Sequence, residues 1–363
     1  MDSRERVFTA LEHREPDRVP RDFWATSETV SKLLRHLKLP AAPALWDYFD
    51  IDLRYIQGPR YIGPPLKKHP DGSENDIWGV PRQLQIAGEG DRRQSYKAVV
   101  LFPLQTITSV EELDHYEYWP SPDWFDYSVV HAQGKAVRDR GRVAVFMGDR
   151  LNRIAQLKPA MYLRGIDQAL VDMALEKEIF QAITRRLTAF YNEYTTRILE
   201  AAKGMIDIVC TGDDFGQQQG LLCSLDMWNE MLRPGFANYI RLIHDGGAKA
   251  MHHTCGSIHR LIPEFIAAGL DILQALQPRT AGMDFPRIKA EFGDQLSFQG
   301  AISIQDALPF GTPAEVKAEV KERIAALAGG GGYIISTAHN IQGDTSVANI
   351  MALFEAYQEF GSY

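Results

Sequence analysis

The feature that most constrains the fold of this chain is the alternation, from residue 141 onward, of short apolar runs with longer amphipathic stretches. Six runs have the composition of buried strands, at 142–150, 205–214, 248–257, 270–278, 295–303 and 333–340, and two more lie upstream, at 18–25 and 51–58. Strands that alternate with helices form parallel sheets buried on both faces. Eight such units in 363 residues predict an α/β protein with one domain over residues 1–363, a (β/α)8 TIM barrel.

Two further patterns refine this prediction. No GxGxxG motif follows the first predicted strand, so the sequence lacks the fingerprint of a dinucleotide-binding sheet. Residues 70–104 alternate polar and apolar side chains in the manner of antiparallel strands. We therefore expect a β-hairpin inserted after the second barrel strand, where it can cover the pocket.

Composition narrows the class of partner and the compartment. The chain carries 39 Lys and Arg against 47 Asp and Glu, a net charge of −8 with no basic block, which argues against nucleic-acid binding. The first twenty residues are charged and contain no signal peptide, and no apolar run is long enough to span a membrane. Three cysteines, an odd number, are unlike a disulfide framework and favour a reducing cytoplasm.

Polar side chains gather where the predicted strands end. In a barrel of this kind the catalytic groups lie at the C-terminal ends of the strands. The residues found there are Asp149, Arg150, Asp213, Asp214, His253, Cys255, Gln277, Gln299, Ser303, His339, Asn340 and Gln342. Their common position predicts a single site at the mouth of the barrel.

The stretch "AKAMHHTCGS" (248–257) contains the strongest metal-binding pattern. Side chains alternate along a strand, so His253 and Cys255 share one face, while His252 points to the other and is expected to be structural. His339 ends the last strand and is the expected third ligand. Two imidazoles and a thiolate leave a fourth position open, as in a catalytic zinc site. The alternative is that Cys255 is a small buried hydrophobe and that His253 is a core or substrate-contacting residue.

The remaining polar residues carry less specific predictions. Asp213 or Asp214, in "TGDDFG", is expected to act as general acid or base or to orient a metal-bound histidine; alternatively, the pair caps the following turn and helix. Asp149 and Arg150 form either an internal ion pair or a substrate contact. The predicted substrate-binding residues are Asp149, Arg150, Gln277, Gln299, Asn340 and Gln342.

Three blocks of the sequence resemble a known family. They are "SRERVFTALEHREPDRVP" near the start, "HTCGSIHRLIPEFIAAGLDIL" in the middle, and "GGGYIISTAHNIQGD" with "NIMALFEAY" near the end. In this order and spacing they resemble the uroporphyrinogen decarboxylase superfamily, and in particular its branch of corrinoid-dependent methyltransferases. The resemblance extends over nearly the whole chain and implies a (β/α)8 barrel.

The resemblance also implies a metal site. Methyltransferases of that branch move a methyl group between a corrinoid protein and a thiol such as coenzyme M, using a zinc bound by His-x-Cys and by a cysteine near the last strand. His253 and Cys255 match the first part, and His339 stands where the second cysteine is expected. True uroporphyrinogen decarboxylases carry an arginine-rich N-terminal motif, whereas "VPRDFWATSETV" contains only Arg21. Decarboxylation of a porphyrinogen is therefore not expected.

These observations lead to one functional expectation and two alternatives. We expect a zinc-dependent methyltransferase that moves a methyl group between a small methyl ether, amine or thiol and the cobalamin of a separate corrinoid protein. The first alternative is a metal-free decarboxylase or lyase in which His253 and His339 bind substrate carboxylates. The second is a protein that binds a corrinoid or tetrapyrrole without converting it. A homodimer is compatible with all three of these functions.

Overall fold

The computed structural model describes residues 1–148 and 153–363. The strands are β1 (Leu53–Ile56), β2 (Arg60–Tyr61), β3 (Glu74–Asn75), β4 (Pro81–Ala87), β5 (Gln94–Val99), β6 (Phe125–Asp126), β7 (Val143–Phe146), β8 (Ile208–Gly212), β9 (Lys249–His253), β10 (Ile272–Leu276), β11 (Ser297–Ile302) and β12 (Tyr333–Thr337). The α-helices are α1 (Ser3–Leu11), α2 (Ser27–Leu37), α3 (Ala42–Tyr48), α4 (Val130–Arg138), α5 (Leu157–Arg164), α6 (Ile166–Leu175), α7 (Lys177–Ala202), α8 (Leu225–Met231), α9 (Arg233–Asp245), α10 (Ile262–Ala267), α11 (Phe285–Phe292), α12 (Ala307–Phe310), α13 (Pro313–Leu327) and α14 (Val347–Phe360).

Seven of these strands form one parallel sheet in the order β1-β7-β8-β9-β10-β11-β12. The strands follow one another in the sheet in the order in which they occur in the sequence, and β2 to β6 lie outside this sheet. From β7 onward, each strand is connected to the next by one or more helices. The predicted α/β class and parallel sheet are confirmed, and the curved sheet is consistent with a TIM-barrel-like fold. This topology brings the C-terminal ends of all seven strands to one face.

The inner side of the sheet is filled by a compact apolar cluster. Its members are buried aliphatic and sulfur-containing side chains from neighbouring strands, namely Leu53, Val143, Val145, Met147, Ile208, Cys210, Met251, Ile272 and Ile334. Val7 and Leu11 of α1 belong to the same cluster, and this helix lies at the N-terminal ends of β7 and β12, where Arg4 bonds to Gly141 and Gly332 to Ala10. A larger cluster lies between the sheet and the outer helices. The interior is therefore packed, and a ligand is confined to the strand ends.

The segment 18–25, predicted as the first barrel strand, forms isolated bridges and not a regular strand. Arg21 pairs in parallel with Ile335, and Ala25 pairs with Ile341. Two features of the chain interrupt the ladder: Pro20 has no N–H to donate, and β12 ends at Thr337, before the second bridge. The segment is thus extended beside β12 without a continuous hydrogen-bonded ladder.

The regular strands are shorter than the predicted ones. Strand β9 ends at His253 and strand β12 at Thr337, so Cys255, His339 and Asn340 lie in the loops that follow. Between β9 and β10 the chain forms a 3-10 turn at His259–Leu261 followed by α10. Between β8 and β9 it forms two helices, α8 and α9.

Residues between β1 and α4 form two small antiparallel sheets. Strands β3, β4 and β5 make a three-stranded sheet, in which β4 and β5 pair over six residues with Gln85 opposite Tyr96. Strands β2 and β6 form a two-stranded sheet. Within residues 1–148 and 153–363, none of the helices combines the length and the apolar character that a membrane crossing requires.

Candidate metal centre

Three side chains with metal-ligating atoms meet at the carboxyl end of the sheet. His253, Cys255 and His339 each offer a ligand atom, and these atoms all lie within 4.8 Å of one another. The Sγ atom of Cys255 is 3.6 Å from Nε2 of His253. A tetrahedral zinc with bonds of about 2.1 Å to nitrogen and about 2.3 Å to sulfur separates such ligands by roughly 3.6 Å. The separation of Cys255 from His253 thus equals that of two zinc ligands, and the three residues form a candidate three-ligand site for one metal ion. We call them the metal triad.

The imidazole of His253 is oriented by a glutamine on the neighbouring strand. Gln274 of β10 places Oε1 at 3.1 Å from Nδ1 of His253. A carbonyl oxygen only accepts, so Nδ1 donates, and the lone pair of Nε2 faces Cys255. An imidazole held by its second nitrogen is the usual arrangement of a metal-ligating histidine.

The ring of His339 packs against two other rings. Its ring lies 4.9 Å from the ring of Trp24 and 5.5 Å from the ring of His253. The Nδ1 atom of His339 is buried and has no hydrogen-bond partner among the described residues. Buried polar atoms are rarely left without a partner, so this nitrogen fits a metal ligand.

The protonation states of the triad suit metal binding. Burial lowers the pKa of His339 to about 4 and holds the pKa of His253 well below its usual value. Both imidazoles are therefore neutral at neutral pH, as a metal ligand must be. Burial, and next the charge of Asp214, raises the pKa of Cys255 to about 12. Without a metal the thiol keeps its proton, which a bound cation displaces.

Asp214 and Lys158 form an ion pair beside the triad. The Nζ atom of Lys158 lies 2.5 Å from Oδ2 of Asp214. Oδ1 of the same carboxylate accepts a hydrogen bond from the Cys255 N–H at 3.2 Å and lies 3.9 Å from Nε2 of His253. Burial raises the pKa of Asp214, but the charge of Lys158, together with the hydrogen bonds from Lys158 and from the Cys255 N–H, outweighs it and leaves the pKa below its usual range. Asp214 is therefore an ionised acceptor at the site.

Asp213, the preceding residue, has a different environment. Its carboxylate accepts the backbone N–H groups of Gln156 at 2.6 Å, Leu157 at 3.1 Å and Lys158 at 2.7 Å. These are the free N–H groups at the start of α5. Burial raises the pKa of Asp213 to about 6, although the three N–H donors oppose the shift. Asp213 thus caps α5, the helix that carries Lys158 to the site.

Two cavities open at the triad. The larger holds about 1290 Å³ of empty space, part of it open to solvent, and is lined by Trp24, Thr26, Gln94, Ser95, Tyr96, Met147, Gly148, Arg153, Lys158, His253, His339, Asn340 and Gln342. Its outer wall includes residues of β5, from the antiparallel sheet. A second cavity of about 530 Å³ lies on the side of Cys255 and shares His339 and Gln342 with the first.

The other predicted site residues are distributed unevenly. Asn340 and Gln342 line the larger cavity, and Gln277 and Ser303 line the second. Gln299 is fully buried within β11 and donates its Nε2 hydrogen bond to Asp22, away from both cavities. Asp149 and Arg150 lie outside the described residues. His252, predicted to be structural, faces away from the triad, stacks on Phe215 and is hydrogen-bonded through Nδ1 to the Thr211 hydroxyl.

Sequence reasoning missed four residues that shape the site: Trp24, Arg153, Lys158 and Gln274. Only Gln274 carried a signal, since it is a polar residue in the middle of the apolar run "LDILQALQP". A polar side chain inside a buried strand must find a partner. The other three become neighbours only through the fold.

Comparison with known proteins agrees with this architecture. The family model described as "Uroporphyrinogen decarboxylase (URO-D)" matches residues 155–360, more than half of the chain. A search among curated protein sequences gives no match. Among solved structures, a methyltransferase from Methanosarcina mazei superimposes with a TM-score of 0.69 at 16% identity, over 99% of this chain and 99% of that one. At this identity the likeness supports the fold alone. By the extent of the family match, the chain belongs to the uroporphyrinogen decarboxylase (URO-D) family.

Proposed function

We propose that this protein is a zinc-dependent methyltransferase that moves a methyl group between a small substrate and the cobalamin of a partner corrinoid protein. The observation that carries the proposal is the metal triad, His253, Cys255 and His339, whose ligand atoms lie within 4.8 Å of one another beside a large cavity. Membership in the URO-D family and the fold shared with a methyltransferase support it.

The donor set determines what a metal can contribute. Two neutral imidazoles and one thiolate leave a bound zinc with one positive charge and an open position, so it supplies Lewis-acid activation of a methyl ether or amine, or holds a thiol as thiolate. The chain's own groups fix the ligands. Gln274 holds the ring of His253, and Asp214 holds the backbone of Cys255 through its N–H.

We assign the assisting carboxylate to Asp214. It is ionised, lies 3.9 Å from Nε2 of His253 and accepts the Cys255 N–H, so it places negative charge beside the ligands and helps to hold them in position. Asp213 is engaged by three backbone N–H groups and serves the fold. We further propose that Gln277, Asn340 and Gln342, together with Asp149 and Arg150, contact the substrate.

Wider features of the protein are part of the proposal. We propose that residues 1–363 form one closed (β/α)8 barrel whose first strand is the bridged segment 18–25, with residues 70–104 inserted over its mouth. The pairing of that segment with β12 and the presence of β5 in the cavity wall support this arrangement. The corrinoid partner would dock on the strand-end face. Three free thiols support a cytoplasmic location.

A metal-free decarboxylase that holds substrate carboxylates on His253 and His339 is less consistent with the site. Both pKa values lie below neutrality, so neither ring carries the charge that a carboxylate requires. Arg21, the one arginine in "VPRDFWATSETV", the stretch compared with the arginine-rich motif, donates to the backbone carbonyl of Tyr357 at 3.1 Å.

A methyl-transfer assay tests the proposal. Zinc-loaded protein is mixed with cob(I)alamin and, in turn, with methyl ethers, methylamines and methyl thioethers, and methylcobalamin is followed by its absorbance. We expect formation with at least one class, lost in Cys255→Ala and retained in Cys223→Ala, a half-buried cysteine outside both cavities. Release of CO₂ from carboxylic acids without methylcobalamin formation would favour the decarboxylase.

A further inference from the structure

The cavities beside the metal triad are lined by more positively charged than negatively charged side chains. Three cationic side chains line the larger cavity or an adjoining cavity of about 480 Å³ that shares Arg153 and Lys158 with it: Arg82, Arg153 and Lys158. Lys158 is paired with Asp214, and Arg82 is paired with Asp76 at 2.7 Å. Arg153 forms no ion pair with a described residue, and its buried Nε has no hydrogen-bond partner. Of these three cations, Arg153 alone lacks a protein counter-ion in the part of the chain that the structure describes.

Arg153 is nevertheless held in a defined place. Its guanidinium lies 5.4 Å from the centre of the Trp24 ring, a cation–π contact. Its aliphatic stem lies against the backbone of Gly212, where an added Cβ would come within 2.4 Å of Cδ of Arg153. A larger residue at 212 would displace the arginine. The position is therefore built by the end of β8 and by Trp24.

The same indole connects Arg153 to the metal triad. The rings of His253 and His339 lie 5.5 Å and 4.9 Å from the Trp24 ring. Arg153, His253 and His339 thus surround one tryptophan at the wall of the larger cavity. Among the described residues that line this cavity, none is a carboxylate. A ligand that reaches the triad also meets the positive charge of Arg153, which contacts the same indole as both histidines and is balanced by none of the described residues that line this cavity.

We propose that the substrate is a small carboxylic acid, bound with its carboxylate on the guanidinium of Arg153 and its methyl-bearing heteroatom at the metal triad. The planar guanidinium matches a carboxylate in geometry and charge. The identity of the reacting end rests on the proposed methyltransferase function, but the carboxylate contact does not. Because Arg153 and both histidines contact the same indole, we expect the acid to be small.

Binding to metal-free protein tests the carboxylate contact independently of the reaction. Protein stripped of metal by chelation is titrated by calorimetry with acetate, methoxyacetate, benzoate and 2-methoxybenzoate, and with the uncharged amide of each. Removing the metal excludes coordination by the acid. We expect at least one acid to bind at least tenfold more tightly than its amide.

Variants locate the contact. Arg153→Gln is expected to abolish the preference for the acid, and Arg153→Lys, which keeps the charge without the planar fork, to retain part of it. Arg241→Gln, on the outer helix α9 and paired with Asp245, is the matched control and keeps the full preference. Circular dichroism checks that each variant is folded. The proposal is overturned if no acid binds better than its amide, or if folded Arg153→Gln keeps the preference. Failure of the proposed function is separate, and is seen as absent zinc or absent methyl transfer in protein that still binds the acid.

Discussion

Gln274 accepts a hydrogen bond from Nδ1 of His253 at 3.1 Å and thereby turns Nε2 of that histidine toward Sγ of Cys255. The two residues lie in register on adjacent strands, so the contact is part of the sheet itself. A ligand nitrogen is thus fixed by the pairing of β9 with β10. This relationship explains how the lone pair of a buried imidazole is directed toward Cys255, as the proposed metal site requires.

Removing that hydrogen bond should weaken metal binding. In Gln274→Ala the ring of His253 loses its partner, and we expect the dissociation constant for zinc to rise about 10- to 100-fold. Gln133→Ala, which removes a half-buried glutamine bonded to Gly58 on the outside of the sheet, is the control and should leave it unchanged. Competition with a chromophoric chelator measures both. Equal affinities in Gln274→Ala and wild type would show that the contact does not orient a ligand.

Zinc affinity should depend on pH through one proton. The pKa of Cys255 is about 12 and that of His339 about 4, so near neutrality the free site carries a thiol and neutral imidazoles. Binding displaces the thiol proton, and a rise in pH therefore favours the metal, by about tenfold in affinity per pH unit between about pH 6 and 8. Calorimetry in buffers of different ionisation enthalpy counts the proton. A flat profile, or two protons released per zinc, would contradict the assigned protonation states.

Replacing His339 by cysteine should preserve the site and change its donors. A thiolate at this position gives a set of one imidazole and two thiolates, so we expect His339→Cys to bind one metal per chain. In the cobalt-substituted protein, the sulfur-to-metal charge-transfer absorbance should roughly double relative to wild type, because a second thiolate is bound. His339→Ala should bind cobalt more weakly. An unchanged charge-transfer band in His339→Cys would place residue 339 outside the coordination sphere.

Asp213 should matter for stability. Asp213→Ala leaves the N–H groups of Gln156, Leu157 and Lys158 buried without their acceptor. We expect the free energy of unfolding to fall by about 3 kcal/mol, since each buried donor without a partner is costly. Asp226→Ala, at an exposed helix start, is the control and should change it by less than about 0.5 kcal/mol. Urea denaturation followed by circular dichroism provides the measurement, and equal midpoints for the two variants would contradict the capping role.

The sheet could be predicted from the sequence because each strand is indicated by a local pattern of residues. Apolar runs of strand length separated by helices are sufficient to indicate a parallel α/β fold. The first predicted strand was wrong as a regular strand because its pairing depends on where β12 ends, which no local pattern at 18–25 contains. The period of two placed His253 and Cys255 together although Cys255 lies beyond the strand, since the loop keeps its direction for two more residues.

The residues that surround the metal triad could not be predicted from sequence patterns. Asp213 and Asp214 are adjacent in sequence, but one turns to the start of α5 and the other to Cys255, a difference that only the packed helix creates. Arg153 and Lys158 reach the site from the segment after β7, far in sequence from the triad. The spacing and periodicity of residues in the sequence do not predict tertiary contacts of this kind.

The metal content of the purified protein tests the central claim most directly. Protein prepared without chelators in zinc-supplemented medium is analysed by inductively coupled plasma mass spectrometry, beside Cys255→Ala, His339→Ala and the control Cys223→Ala. We predict about one zinc per chain in wild type and control, as a three-ligand site with an open position requires, and loss of the metal in the other two variants. Wild-type protein that is folded and contains no zinc, or zinc that remains in both triad variants, would contradict the account.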